Sequence, residues 1–240
     1  MSIEARSPDP RPGRKGVIFD FEGTLVDFQW QLGPAEAELR AALAELGFGA
    51  AEFAQGNYAA MWNGAANQLE PHGRLGELRR ALSPIYDHWD ADALTRWLPR
   101  PGAAQLLERL RGAGLSVGIV SNIGHAALSK ALSRFDFARF AAPVLSRDDV
   151  TRLKPQAQGI LRVLQDWQLD PDEVLFVGDS RADVVAARSA GLAVAIIRDG
   201  ENDESAFAGN PPDHMISQLH ELAALLRLAT PAAGRTAAGL

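Results

Sequence analysis

The chain has 240 residues, of which 47% are hydrophobic and 22% charged, so it is long enough to bury a full core together with a modest second domain. Its formal net charge of -6 argues against nucleic acid or an acidic membrane surface as the main partner, because both bind clustered basic residues. The absence of cysteine excludes a disulfide framework, a thiolate metal site and a cysteine nucleophile.

The N-terminal residues 1–14 carry prolines and mixed charges but no apolar segment, which predicts a flexible arm and not a signal peptide. No stretch of the sequence reaches the roughly 18 apolar residues that a membrane span requires. We therefore expect a cytoplasmic protein that binds a small molecule and has no nucleic-acid or membrane partner.

The first predicted element is a strand whose apolar run, beginning at Val17, ends in two carboxylates, Asp20 and Glu22, followed by a Gly-Thr turn. Parallel strands that are buried on both faces read as continuous apolar runs, and open α/β sheets bind their ligands at the carboxyl ends of the strands. An ionised carboxylate in a buried position needs a partner or a metal. Asp20 and Glu22 are therefore the first candidate functional residues.

The stretch 28–98 is rich in Ala, Leu, Glu and Arg and has no convincing strand pattern. It predicts an all-helical insertion directly after the first strand, over the sheet edge that carries Asp20. The predicted organisation is a flexible arm at 1–14, an α/β core formed by 15–27 and 99–228, a helical domain at 28–98 and a flexible tail at 229–240.

From residue 99 onward, short apolar runs alternate with helical patterns. This alternation is typical of an α/β fold, in which a mostly parallel sheet is covered by helices on both faces. The predicted strands are 115–120, 142–145, 174–177, 193–197 and 214–216, and the predicted helices are 103–111, 125–134, 156–168, 181–190 and 219–228.

Polar residues follow several of these strands in a fixed order. Ser121 and Asn122 follow the second strand, Lys154 lies in a region almost free of lysine, and Asp179 and Asp183 follow the strand at 174–177. Each feature alone is also typical of a turn, a solvated loop or a helix cap. Several carboxylates at one sheet edge repel each other unless a cation lies among them, and an oxygen-only site suits Mg²⁺.

The ordered set of these residues resembles the haloacid dehalogenase (HAD) superfamily, in its subgroup with a helical cap after the first strand, similar to phosphoglycolate phosphatases. The resemblance covers about residues 15–228 and implies a HAD-like Rossmannoid sheet with a small helical cap. It also implies a Mg²⁺-dependent phosphatase that hydrolyses a small phosphorylated metabolite through an aspartyl-phosphate.

The resemblance implies a role for each matching residue. Asp20 is the expected nucleophile, and Lys154 is expected to offset charge on the nucleophile and the phosphate. The phosphate is expected to contact Ser121 and the N–H of Asn122. The expected metal ligands are the carboxylates of Asp20 and Asp179 and the backbone carbonyl of Glu22, with Asp183 acting through water or by orienting its neighbours.

Glu22 is the departure from the family pattern, in which the residue two after the nucleophile is normally Asp, the general acid and base. Glu moves the acid by about 1 Å, and a displacement of that size can cost roughly 100-fold in rate. Three hypotheses remain open: a working phosphatase with Glu22 as general acid and base, a phosphomutase or slow enzyme with redirected chemistry, and a regulatory protein that binds a phosphate ligand.

Substrate identity is expected to depend on the helical insertion. Its polar and aromatic residues that are candidates to face the cleft are Trp62, Asn63, His72, Arg74, Arg79 and Arg80, and His125 is a further candidate beside the phosphate. Packing inside the insertion or exposure to solvent is the alternative for each of them.

Overall fold

A computed structural model describes residues 13–228. The C-terminal tail predicted at 229–240 and residues 1–12 of the predicted arm lie outside the described residues. Within the described part of the chain, no helix is both long and apolar enough to cross a membrane.

The centre of the fold is a six-stranded sheet in which all neighbouring strands are parallel, in the order β3-β2-β1-β4-β5-β6. This arrangement confirms the predicted α/β fold class. The strands are β1 (Gly16–Phe19), β2 (Ser116–Val120), β3 (Val144–Leu145), β4 (Val174–Gly178), β5 (Ala193–Ile197) and β6 (His214–Ile216).

Alternate residues along the strands enter the two cores on opposite faces of the sheet. Ile18 and Phe176 pack into one apolar cluster, whereas Val17, Phe19 and Val177 pack into the other. Because both faces are covered by helices, the strands read as continuous apolar runs, which explains why the sequence locates them well.

The sheet is covered by helices that follow or precede its strands. They are α4 (Ala103–Gly112), α5 (His125–Arg134), α6 (Gln158–Trp167), α7 (Arg181–Ser189) and α8 (Leu222–Leu225). The helix predicted at 219–228 is shorter in the structure, because Leu219–Glu221 forms a 3-10 turn and α8 contributes a single further turn.

Three α-helices lie within the segment 28–98, namely α1 (Leu32–Glu45), α2 (Tyr58–Leu69) and α3 (Leu75–Leu94). Every residue of 28–98 is described, and none of them lies in a strand. Leu39, Trp62 and Leu82 from these helices belong to the same buried apolar cluster as one face of the sheet. The helical segment therefore continues the core on this face of the sheet, and α3 packs against α5.

Candidate active site

Three buried carboxylates meet at the carboxyl ends of β1 and β4. Because β1 and β4 are neighbours in register, with Phe19 opposite Val177, the residues that follow them emerge side by side. Asp20, Asp179 and Asp183 each place a carboxylate oxygen within 4.8 Å of the others. This oxygen-only cluster has the donor set that Mg²⁺ prefers.

Lys154 supplies positive charge to this cluster. Its Nζ donates to Asp20 Oδ1 at 2.5 Å and to Asp183 Oδ1 at 2.7 Å, and all three side chains are buried. Burial alone lowers the pKa of Lys154, but Asp183 and Asp20 together raise that pKa above its ordinary value. The lysine is therefore charged and fixed between two acids.

One lysine does not balance three carboxylates. Burial raises the pKa of Asp20 to about 6, despite the attraction of Lys154. Burial, together with repulsion from Asp183 and Asp20, raises the pKa of Asp179 well above its ordinary value. A divalent cation among these oxygens would supply the missing positive charge, so the residues fit a metal.

The two oxygens of Asp183 are already occupied by the protein. Oδ1 accepts from Lys154, and Oδ2 accepts from the hydroxyl of Ser180 at 2.7 Å and from the N–H groups of Ser180 and Asp179. Asp183 thereby accepts four hydrogen bonds and holds the turn between β4 and α7, which agrees with an orienting role, whereas Asp179 accepts two, from Thr24 Oγ1 at 3.3 Å and from the N–H of Glu201.

Two glycine turns close tightly around Asp179. Gly23 has φ of +79°, and a Cβ on Gly23 or on Gly200 would collide with the Asp179 carboxylate. The N–H of Glu201 donates to Asp179 Oδ2 at 2.5 Å. The loop after β5 therefore also belongs to the site, a contribution that the sequence did not reveal.

The Ser121-Asn122 segment follows β2 and is tied to the loop that carries Lys154. Asn122 Oδ1 accepts from the N–H of Lys154 at 3.0 Å, and Asn122 Nδ2 donates to the carbonyl of Lys154 at 3.2 Å. Ser121 is buried, and its Oγ accepts from the N–H of Ile123. The side chain of Asn122 thus positions the lysine loop.

Glu22 has one carboxylate oxygen fixed by residues at both ends of the helical segment. Its Oε1 accepts from the N–H groups of Gln29 at 2.9 Å and Trp30 at 2.8 Å, and from Trp97 Nε1 at 2.8 Å. Burial raises the pKa of Glu22 to about 8, although the three donors favour its charged form. Near neutral pH this side chain is therefore mostly protonated.

Two small adjoining cavities, of about 20 and 30 Å³, lie between the helical segment and the sheet edge. Both are lined by Glu22, Phe28, Tyr58, Asn122 and Ile123. We call the one that also contacts Asp20, Ser121, Lys154, Ser180, Ala182 and Glu201 the catalytic cavity. We call the other, which contacts Trp30, Tyr86 and Asp90, the aromatic chamber.

The residues that the sequence suggested for substrate recognition line neither cavity. Trp62 Nε1 donates to the carbonyl of Thr151, and Arg79 donates to the carbonyl of Val150, so both attach the helices to the core. The remaining candidates also lie elsewhere. The Asn63 side chain forms hydrogen bonds with the backbone of Leu153, and the His125 ring contacts Ser129. His72 and Arg74 line a separate groove, and Arg80 is exposed to solvent.

Comparison with known proteins identifies the family. The sequence model of haloacid dehalogenase-like hydrolases matches residues 14–191. The chain belongs to the haloacid dehalogenase-like hydrolase family. The resemblance that the order of the motifs indicates is thereby confirmed.

Several relatives of this HAD-like chain are phosphoglycolate phosphatases. The one from Salmonella paratyphi A is 34% identical over 128 residues, covering 53% of this chain and 51% of that protein. Phosphoglycolate phosphatase 1 of Pseudomonas aeruginosa is 29% identical over 213 residues, covering 86% of this chain and 77% of that protein. The chain therefore spans about half the length of the Salmonella relative.

Solved structures share the fold. A predicted phosphoglycolate phosphatase from Haemophilus somnus superimposes with a TM-score of 0.63, covering 88% of this chain and 97% of that chain at 22% identity. This likeness confirms the HAD-like arrangement of sheet and helices.

Proposed function

We propose that the chain is a Mg²⁺-dependent phosphatase that hydrolyses a small phosphomonoester through an aspartyl-phosphate on Asp20. The observation that carries the proposal is the position of Asp20: its Oδ1 is held by Lys154 at 2.5 Å, beside Asp179 at the end of the central strands. A carboxylate held in this way has one oxygen fixed and the other available as a nucleophile. The phosphatases among the relatives support the same activity.

The proposed metal ligands are the carboxylates of Asp20 and Asp179 and the backbone carbonyl of Glu22. When bound, Mg²⁺ supplies positive charge that orients the phosphoryl group and stabilises the charge on its oxygens. Asp183 positions Lys154 and the turn at Ser180, because its two oxygens together accept four hydrogen bonds from the protein.

In the first proposed step, Asp20 Oδ2 attacks phosphorus and the bond to the leaving oxygen breaks. Lys154, the Ser121 hydroxyl and the N–H of Asn122 contact the phosphoryl oxygens and stabilise their charge. Glu22 donates a proton to the leaving oxygen, so an alcohol departs and Asp20 carries the phosphoryl group. Glu22 then accepts a proton from water, which attacks phosphorus and releases phosphate and free Asp20.

The environment of Glu22 supports its proposed part in both steps. The three N–H donors fix Oε1, which leaves Oε2 as the oxygen available to substrate, and burial holds the proton on the carboxyl near neutral pH. The side chain of Glu22, which is one methylene longer than the Asp usual in the family, reaches N–H donors from both ends of the helical segment. This arrangement favours a working enzyme over a protein that only binds phosphate ligands.

The segment 28–98 is the proposed cap domain over a core formed by 15–27 and 99–228. Its links to β1 and to α4 both contact Glu22, through Trp30 and Trp97. A cap in this place excludes bulk water from the phosphoryl group and limits the site to small phosphorylated metabolites.

Hydrolysis of a generic aryl phosphate tests the proposal. We expect hydrolysis with Mg²⁺, its loss with EDTA, and a fall to background in Asp20→Asn. The matched control is Asp166→Asn, at an exposed position on α6, which should keep wild-type activity. Equal activity in Asp20→Asn and wild type would contradict the proposed role of Asp20.

A further inference from the structure

The aromatic chamber adjoins the catalytic cavity and shares five lining residues with it, among them Glu22, the proposed proton donor to the leaving group. Its aromatic side chains are fixed against one another: the rings of Trp30 and Tyr58 have centroids 5.0 Å apart, and those of Trp30 and Tyr86 are stacked at 6.2 Å. The Tyr86 hydroxyl donates to the carbonyl of Tyr58 at 2.7 Å. The chamber is thus a preformed surface for an apolar face, with hydroxyl groups at its edge.

The chamber contains no cation that is available to a substrate. Among the described side chains that line the two cavities, Lys154 is the one cation, and it is bound to Asp20 and Asp183. Arg147 lies behind Asp90, is fully buried and is paired with Asp90 at 2.7 Å. The other ionisable groups that face the cavities include the acids Glu22, Asp90 and Glu201, which supply no positive charge in either protonation state.

Three N–H donors beside the chamber are also occupied. The N–H of Ile123 donates to Ser121 Oγ, and the N–H of Gly124 donates to Asp90 Oδ2 at 2.8 Å. Trp30 Nε1 donates to Asp90 Oδ1 at 3.1 Å. An anionic group placed in the chamber would therefore lose its hydration without gaining an ion pair or a hydrogen bond from these three N–H groups.

We infer that the leaving group of the preferred substrate is small, uncharged and hydroxyl-bearing, with an apolar face, and that it does not carry a carboxylate as phosphoglycolate does. This inference rests on the proposed phosphatase function and defines its substrate class. The aromatic rings contact the apolar face of the leaving group, and Asp90 Oδ1, which accepts one hydrogen bond from Trp30, has a further lone pair for a hydroxyl group of the leaving group. We therefore do not expect this chain to share the phosphoglycolate substrate for which its relatives are named.

Two esters of nearly the same size test the inference. Phosphoglycolate has a carboxylate at the position where 2-hydroxyethyl phosphate has a CH₂OH group. An aryl phosphate serves as the third substrate and reports the basal activity. We expect kcat/KM for 2-hydroxyethyl phosphate to exceed that for phosphoglycolate by at least about 10-fold, because the carboxylate of phosphoglycolate loses its hydration in the chamber without gaining a counter-charge. Equal or higher kcat/KM for phosphoglycolate would overturn the inference and leave the phosphatase proposal intact. No Asp20-dependent hydrolysis of any of the three esters would overturn both.

A charge placed in the chamber provides a second test. Phe28 lines both cavities and is only partly buried, so Phe28→Lys introduces a cation, and Phe28→Met is the uncharged control. We expect Phe28→Lys to shift the ratio of the two kcat/KM values toward phosphoglycolate by about 10-fold relative to Phe28→Met. Because the ratio is measured within one variant, a loss of folded protein cancels. An unchanged ratio would contradict the inference.

Discussion

The most deeply buried ion pair in the described structure joins the helical segment to the core, and its loss gives a large predicted effect. Arg147 is fully buried; its Nη1 lies 2.7 Å from Asp90 Oδ2, its Nη2 contacts Asp87, and its guanidinium lies 4.9 Å from the centre of the Tyr86 ring. Asp90 also accepts from Gly124 beside the Ser121-Asn122 segment. Arg147 therefore connects α3 with the sheet edge that carries the site.

Arg147→Met removes one partner and leaves the carboxylate of Asp90 buried without its counter-charge. Loss of one member of a buried pair costs about 3–5 kcal/mol, which is a large part of the roughly 5–15 kcal/mol that stabilises a typical protein. We expect this loss in the free energy of unfolding, measured by urea denaturation with circular dichroism. The matched control, Arg152→Met, removes a pair with Glu70 at 2.5 Å, in which Arg152 is partly buried and Glu70 is exposed, and it should cost about 1 kcal/mol.

Replacing both Arg147 and Asp90 distinguishes two causes of instability, namely the unpaired buried charge and the loss of packing. In the double variant Asp90→Asn with Arg147→Met, no buried unpaired charge remains, because Asp87 is exposed to solvent, so we expect it to be more stable than Arg147→Met alone. A cost for Arg147→Met that is no larger than that of the Arg152→Met control would refute this reasoning.

Three further predictions concern Glu22 and the sheet. Glu22→Asp shortens the acid, so that it no longer reaches the N–H donors of Gln29, Trp30 and Trp97 together. We expect kcat for an aryl phosphate to fall roughly 100-fold. A gain in rate would show that Glu22 attenuates the enzyme. Because folding raises the pKa of Glu22 from 4.5 to about 8, the folded wild type retains a proton that the unfolded chain releases, so its stability falls as pH rises through this window. Glu22→Gln has no proton to release and therefore lacks this pH dependence. In EDTA, the free energy of unfolding of Glu22→Gln should rise relative to that of the wild type by up to roughly 1.4 kcal/mol per pH unit between pH 5 and pH 8. A difference that stays constant with pH would contradict the raised pKa. Gly118→Ala places a Cβ 2.9 Å from the Trp167 ring and should lower the free energy of unfolding, measured by urea denaturation, by about 1–3 kcal/mol. The control Gly112→Ala adds a Cβ in open space and should leave the free energy of unfolding unchanged or slightly higher. Equal effects of the two substitutions would contradict the packing argument.

The parts of the fold that could be predicted from the sequence are those set by local patterns. The strands are buried on both faces, so their apolar runs are visible without knowledge of their neighbours. The candidate acids were found in the same way, because Asp20 and Asp179 directly follow such runs and parallel strands end at one edge. The structure places both acids and Lys154 within one cluster.

The parts that could not be predicted depend on contacts between distant residues. Glu22 receives a hydrogen bond from Trp97, and Arg147 pairs with Asp90, across 75 and 57 positions of the chain. The aromatic chamber combines side chains from the link after β1, from α2 and from α3. No local pattern distinguishes Tyr58, which lines the chamber, from Trp62, which attaches the helices to the core.

The central claim is that Asp20 becomes phosphorylated during turnover. Its most direct test is acid quenching of the enzyme during hydrolysis of an aryl phosphate with Mg²⁺, followed by peptide mass mapping. The account predicts a phosphoryl adduct on Asp20 that is absent without substrate and absent in Asp20→Asn. Hydrolysis at the wild-type rate without an adduct on Asp20, or with an adduct on another residue, would contradict it.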